Sequence, residues 1–244
     1  MNLILVPEPS PDGTLTLTGH QAQHVRDVLR AAPGETVRVG VEDGPVGTGT
    51  VLHVAPEHVT LSCVFDRSTP PRPRVDLLLA VPRPKVLKRL WAQLAALGVG
   101  RIILTNAARV ERPYFDTHIL EPVVYRPLLI EGLQQARDTR VPLVSVHRQF
   151  RKLVEDDLDT LTDARLRLLA DPGPHPPVAT ALTTAGSARV LIAVGPEGGW
   201  NDFERHLLVE HGCQPVSMGR RTLRTDTACI SLLSLVHDAI GVAS

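Results

Sequence analysis

Residues 188–204 read ARVLIAVGPEGGWNDFE: a strand-like segment, Ala188 to Val194, with Arg189 near its start, ends in the unbroken apolar run VLIAV and breaks into GPEGGW, Gly195 to Trp200, and then into the opening of a helix. A short, uninterrupted apolar segment followed directly by glycines is the pattern of a strand buried on both faces, as in a parallel sheet. Asn201 and Glu204 stand at capping-box spacing, which predicts that a helix begins there. Glycines between a strand end and a helix start let a ligand approach the main chain closely, with free amides nearby. This turn therefore predicts both a fold class, α/β with a largely parallel sheet, and a ligand site.

Outward from the turn the same grammar repeats. Upstream lie the strand VDLLLAV (75–81), a helix from Lys85 to Leu97 closed by Gly98, the strand RIILTNA (101–107), a longer helix near Glu121 to Gln135, and the strand LRLLA (166–170). In the first helix Val86, Leu87, Leu90, Trp91, Leu94 and Leu97 recur at helical spacing and read as core, while Lys85, Lys88, Arg89 and Gln93 fall on the other side. Downstream, SMGRRTLRTDTA (217–228) is a second glycine-containing loop after a strand end, leading into the apolar helix CISLLSLVHDAI with Thr225 or Asp226 placed to cap it. Two such loops at one edge of an open sheet predict a composite pocket, because ligands of such sheets bind beyond the carboxyl ends of the strands.

Before residue 68 the pattern differs. TLTLTG, ETVRVGV, GTGTVLHV and HVTLSCVF are short alternating segments separated by Gly, Pro and Asp-Gly turns, with one helix around His20 to Arg30, as in a small β-barrel. STPPRPR (68–74) cannot continue a helix or a central strand, because its prolines lack the amide donor. These features predict two domains, a barrel over 1–70 and an α/β domain over 74–244.

Composition limits function. The 244 residues, 43% of them hydrophobic, suffice for one full core with a smaller domain beside it. No basic start precedes a long apolar stretch, and no run approaches the roughly 18 apolar residues of a membrane span, so the cytoplasm is the expected location. The three cysteines, Cys63, Cys213 and Cys229, have no C-x-x-C spacing, and His20 and His24 lack a third partner, so no metal is expected. The histidine pair reads as lying at the surface or facing RNA. The formal net charge is +0, yet residues 67–101 hold eight Lys or Arg against one acid, Asp76. Such an excess suits phosphates and is equally the composition of a solvated helix face.

At the two glycine loops a nucleotide phosphate is the first ligand to weigh. GPEGGW lacks the Lys and Ser/Thr of a P-loop and does not fit G-x-G-x-x-G. Glu197, Asp202 and Glu204 would also crowd the helix start and repel a phosphate, so a cationic or neutral ligand fits better.

GPEGG after an apolar strand, followed by MGRRTLRTDTA, resembles the knotted SPOUT methyltransferases, and in particular the ribosomal small subunit methyltransferase E family. That family's last loop runs approximately L-G-x-R-I/V-L-R-T-E-T-A, matched here by Met218, Gly219, Arg221, Thr222, Leu223, Arg224, Thr225, Asp226, Thr227 and Ala228, with Asp226 in place of Glu. His24, Val28, Leu29, Arg30, Pro33 and Gly34 match an H-x-x-x-V-L-R-x-x-P-G element of its PUA-like barrel. The middle departs: Gln93 and Ala96 replace Lys and Glu of K-x-x-E-L-G, and QQARDTRVP differs from E-Q-S-x-R-x-x-x-P at Gln134, Ala136 and Asp138.

The resemblance implies a C-terminal trefoil knot, a homodimer, S-adenosylmethionine as cofactor, and methylation of uridine N3 in 16S rRNA of the small ribosomal subunit. The implied cofactor contacts are Leu169, Val194, Gly195, Glu197, Gly198, Met218, Gly219, Leu223, Thr225 and Ala228, acting mainly through the backbone. Methyl transfer to N3 needs a deprotonated, aligned ring nitrogen, so Arg224 is the first candidate for a functional side chain and Glu197 a candidate base. Their plainer roles are a salt bridge to Asp226 and a helix-start cap. Arg30, Arg72, Arg74, Arg83, Lys85, Lys88 and Arg89 are the candidate RNA contacts. The alternatives are a SPOUT enzyme with another RNA target, a non-catalytic RNA-binding assembly factor, and, opposed by the carboxylates, a nucleotide phosphate enzyme.

Overall fold

The computed structural model describes residues 3–6, 8–10 and 12–241. The chain forms two compact units: Met1–Arg72 with Ile130–Val141, and Pro73–Leu129 with Pro142–Ser244.

The first unit contains strands β1 (Ile4–Val6), β2 (Thr14–Thr18), β3 (Thr36–Val41), β4 (Val46–Val54) and β5 (His58–Phe65). They form one sheet in the order β1-β3-β4-β5-β2, antiparallel except for the β1–β3 pair, which is consistent with the small barrel expected. Alternation supplies its core: Leu15, Leu17, Val37, Val39, Val51, Val59 and Leu61 are buried together with Ile4, Val6, Ala22 and Val25. The helix expected around His20 to Arg30 is α1 (Gly19–Gln23) continued by a π-turn, His24–Val28. His24 is 8% exposed, so the histidines are not a surface pair: only His20 faces outward.

In this unit Asp43 is a hub. Its carboxylate pairs with Arg72 at 2.9 Å, its carbonyl accepts from Arg140, and its amide donates to the Thr139 carbonyl. Asp138, where the family pattern has Arg, accepts hydrogen bonds from the amides of Thr139 and Arg140 and so shapes that connection.

The second unit is a six-stranded parallel sheet in the order β11-β9-β10-β6-β7-β8. Its strands are β6 (Val75–Ala80), β7 (Val99–Thr105), β8 (Leu143–His147), β9 (Leu166–Ala170), β10 (Val190–Val194) and β11 (Cys213–Val216). β6 and β10, the central strands, are buried at every position, as the unbroken apolar run of β10 and, apart from Asp76, that of β6 require. Helix α2 (Pro84–Ala96) buries Val86, Leu87, Leu90, Trp91 and Leu94 and leaves Lys85, Lys88, Arg89 and Gln93 exposed. α3 (Pro122–Ala136) follows β7, its residues from Ile130 on belonging to the first unit; the short helices α4 (Phe150–Lys152), α5 (Leu158–Leu161) and α6 (Val178–Leu182) flank β9; α7 (Asp202–Glu210) follows β10, and α8 (Thr225–Ile240) follows β11.

One charge lies deep in this sheet. Asp76 on β6 is 1% exposed, accepts from the Thr162 hydroxyl at 2.6 Å and pairs with Arg189 at 2.9 Å. Burial raises its pKa, against the pull of Thr162 and Arg189.

The order of the strands sets where a ligand can sit. From β6 the chain proceeds outward to β7 and β8, whereas from β10, its neighbour, it proceeds the other way to β11. Such a reversal opens a crevice at the carboxyl ends of the two strands.

Candidate active site

The strand ends on the β11 side of this reversal carry three loops: 171–177 after β9, 195–201 after β10 and 217–224 after β11. Together they line a cleft of about 810 Å³, part of it open to solvent. Val194, Val216, Met218, Leu223 and Ala228 supply apolar wall, and Gly195, Gly198, Gly199 and Gly219 supply bare main chain.

Each loop is held by local chemistry. The GPEGGW turn closes with Gly199 N–H donating to Pro196 O, with Gly199 in the left-handed region at φ 72°. Trp200 is 1% exposed, packs its ring 5.4 Å from Phe150 and lies under Gly195, where a Cβ would come within 3.1 Å of the indole. The loop after β9 is knit to β11: Asp171 N–H donates to Val216 O, Ser217 N–H to Pro176 O, and Val178 N–H to Ser217 O. Gly219, at φ 106°, has no atom within 4 Å of where a Cβ would stand, so the space beside its backbone is open.

The capping box predicted from Asn201 and Glu204 is present, and it changes the electrostatic reading. Glu204 is 3% exposed; one oxygen accepts from Asn201 N–H at 2.9 Å and the other from Ala108 N–H at 2.6 Å, in the loop after β7. Asp202 points to solvent and pairs with Arg205. Only Glu197 of the three carboxylates lines the cleft, joined there by Asp171. Glu197 accepts from the Arg83 amide at 3.3 Å, at the N-cap of α2, so it bridges the turn after β10 to the start of that helix. Arg109, from the loop after β7, donates to the Gly198 carbonyl.

Among the expected cofactor contacts, Val194, Gly195, Glu197, Gly198, Met218, Gly219, Leu223, Thr225 and Ala228 line the cleft. Leu169 does not: it is 0% exposed in β9, and alternation along the strand gives the lining position to its neighbour Ala170. The reading from sequence also missed Asp171, Pro172, Trp200 and Val216, which join the cleft wall. A polar residue directly after an apolar strand, as in LLAD, was the available signal for Asp171.

Neither Thr225 nor Asp226 caps α8. The N-cap is Arg224, without a side-chain cap, because Thr225 is turned into the cleft wall and 5% exposed, while Asp226 accepts from the Thr227 amide and pairs with Arg89 at 3.1 Å. Arg224 is 76% exposed at its side chain, and its Nε stands 4.0 Å from Asp226. The exposed basic face of α2 thus meets the loop that bears Arg224 through the Arg89–Asp226 pair. Arg72 and Arg74 differ from that face: Arg72 bonds to Val141 O and Asp43, and Arg74 to Gly186 O and Ile240 O. Arg30 is exposed, in the left-handed region at φ 53°.

Among the described residues no group of three or more His, Cys, Asp or Glu could hold a metal ion, and no helix is long and apolar enough to cross a membrane. The cleft is built for an organic ligand with an apolar body, read through main-chain groups and two carboxylates.

The arrangement is that of a parallel-sheet enzyme with its ligand cleft at the strand ends, and residues 69–237 match the family model of the RNA methyltransferase domain. The ribosomal RNA small subunit methyltransferase E of Treponema pallidum (strain Nichols) is 30% identical over 222 residues, 87% of this chain and 80% of that protein. The enzyme of the same description from Synechocystis sp. is 29% identical over 96% of this chain and 76% of its own length. Among solved structures, a ribosomal RNA small subunit methyltransferase E from Neisseria gonorrhoeae, bound to S-adenosylmethionine, superposes with a TM-score of 0.78 at 20% identity, covering 98% of this chain and 97% of that one. The chain belongs to the ribosomal RNA small subunit methyltransferase E family of RNA methyltransferases.

Proposed function

We propose that the protein transfers a methyl group from S-adenosylmethionine to N3 of a uridine in 16S rRNA, working in the cytoplasm as a homodimer with a trefoil knot at its C-terminal loops. The observation that carries this reading is the cleft itself: apolar walls, exposed glycine backbone and carboxylates, at the strand ends of a chain whose family members are named as small-subunit rRNA methyltransferases.

The cleft fits that cofactor. The open space beside Gly219 leaves its main chain accessible, the walls of Val194, Val216, Leu223 and Ala228 suit an adenine, and the carboxylates favour a cation over a phosphate. When bound, the cofactor supplies an electrophilic methyl on a sulfonium; this chain's residues orient it and prepare the acceptor. Transfer to N3 needs the uracil ring to lose its proton and to be aligned, so positioning supplies much of the acceleration. Arg224, exposed at the cleft loop, stabilises the negative charge that collects on the uracil oxygens. Glu197, tied to the Arg83 amide, holds the turn after β10 in place and is the candidate proton acceptor. Lys85, Lys88, Arg83 and Arg89 meet RNA phosphates, with Arg30 of the first unit as a separate contact.

The test has two arms. Calorimetry with S-adenosylmethionine should show binding to the native protein and its loss in Gly219→Val, where a branched side chain enters the open space at a positive φ. Incubation with small subunits lacking the modification, followed by nucleoside mass spectrometry, should yield N3-methyluridine. Cofactor binding with a methylated product at another atom would overturn the target, and no binding would overturn the enzyme.

A further inference from the structure

His175 has no part in the chemistry above and Asp171 enters it only as one of two cleft carboxylates, yet together they form a built feature of the cleft. Asp171 lines it, its side chain 15% exposed, and its Oδ2 stands 2.7 Å from His175 Nε2. The pair is pre-set. Three main-chain hydrogen bonds tie the surrounding loop to residues 216–217, and the His175 amide donates to Gly173 O. A Cβ at residue 173 would come within 2.6 Å of His175 Nε2 and push the imidazole aside. Among the described residues the other carboxylate oxygen, Oδ1, accepts no hydrogen bond.

We propose that Asp171, oriented by His175, is the ribose acceptor of the cleft, taking hydrogen bonds from the vicinal hydroxyls of an adenosine ligand. The inference rests on the cofactor reading above. A fixed carboxylate in a nucleoside cleft walled largely by apolar side chains and main chain is a group that recognises a sugar diol, since each hydroxyl is a donor and the carboxylate accepts only. Its imidazole partner makes it a directional acceptor. Glu197, whose carboxylate accepts from a main-chain amide, is the better partner for the sulfonium. The two carboxylates of the cleft therefore divide the ligand between them, and Asp171 reads a part that the cofactor and its demethylated product share.

Calorimetry tests this with S-adenosylmethionine, S-adenosylhomocysteine and the 2′,3′-dideoxy form of the latter, against native protein, Asp171→Asn and His175→Ala. Loss of a hydrogen bond to a charged group predicts that Asp171→Asn weakens both adenosine ligands equally, by about 10- to 100-fold, and that the dideoxy analogue binds native and variant alike. His175→Ala, which leaves the carboxylate but frees it, should reduce the preference for the diol without abolishing it. If Asp171→Asn weakens S-adenosylmethionine but spares the uncharged product, the carboxylate meets the sulfonium and the inference is wrong. Unchanged binding in the variant removes Asp171 alone, whereas a native protein that binds none of the three removes the cofactor reading with it.

Discussion

Replacing Glu204 by alanine should be among the most damaging single changes outside the apolar core. The carboxylate is 3% exposed and accepts from two main-chain amides, Asn201 at 2.9 Å and Ala108 at 2.6 Å, one on its own helix start and one 96 residues away. Hydrogen bonds to a charged group each contribute about 1.5–3 kcal/mol. Ala108 is exposed and can recover a water, which lowers its share, so Glu204→Ala should cost about 2–4 kcal/mol. Asn201→Ala removes only the reciprocal cap, Glu204 N–H to Asn201 Oδ1 at 2.8 Å, and should cost about 1 kcal/mol. Glu204→Gln keeps one acceptor but sets its NH₂ against the other amide, and falls between them. Both tryptophans, Trp91 and Trp200, lie in the second unit, so fluorescence during urea unfolding reports on the right body. A shift of midpoint with unchanged slope measures the difference. If Glu204→Ala lies within about 0.5 kcal/mol of native, the scatter of ordinary surface substitutions, or if Asn201→Ala is the worse variant, then the link to the loop after β7 carries no energy and the account of Glu204 is wrong.

Asp76→Ala leaves the Thr162 hydroxyl without its acceptor and Arg189 with Asp163 and the Pro73 carbonyl as remaining partners, and should destabilise by about 3 kcal/mol in the same unfolding assay. Burial, the largest influence, depresses the pKa of both His147 and His237. The unfolded chain then binds more protons below the ordinary histidine value, so stability should be full above about pH 6.5 and fall as pH drops below it, with His237→Gln flattening the profile. Cys213 and Cys229 are buried and their thiols are pushed up to about 12, while burial also raises Cys63. An aromatic disulfide reagent at about pH 8, near the ordinary thiol pKa, should therefore titrate no thiol in the folded protein and all three after unfolding, and fast reaction of the folded protein would contradict the packing.

Much of this could be read from the sequence because the deciding signals are local. An unbroken apolar run such as VLIAV states that a strand is covered on both faces, and Asn201 with Glu204 states a helix start by side-chain chemistry alone. Strand β8, LVSVH, escaped notice because an edge strand of a parallel sheet is half-exposed and carries Ser and His where a central strand carries Ile or Leu. β11, CQPV, is shorter still and holds a proline, which an edge position tolerates. The placement of Ile130–Val141 with the first unit could not be foreseen either, since the hydrogen bonds of Thr139 and Arg140 to residues 43–44 span nearly a hundred positions.

The carboxylates of the cleft show most clearly what sequence proximity conceals. Glu197, Asp202 and Glu204 lie within eight residues and read as one negative cluster against phosphate, yet they face three ways: into the cleft, into solvent and into the protein. The helix period separates Asp202 from Glu204 by about 200°, and the capping box turns Glu204 inward. The negative character of the cleft survives because Asp171, 26 positions before Glu197 in the chain, is brought to the same strand edge by the β9–β10 pairing. Val194 pairs with Ala170 in that register, so the residues that follow each strand open onto the same space. The argument against a phosphate ligand thus rests on two carboxylates from adjacent strand ends, a property of the sheet register that the GPEGG motif alone does not contain.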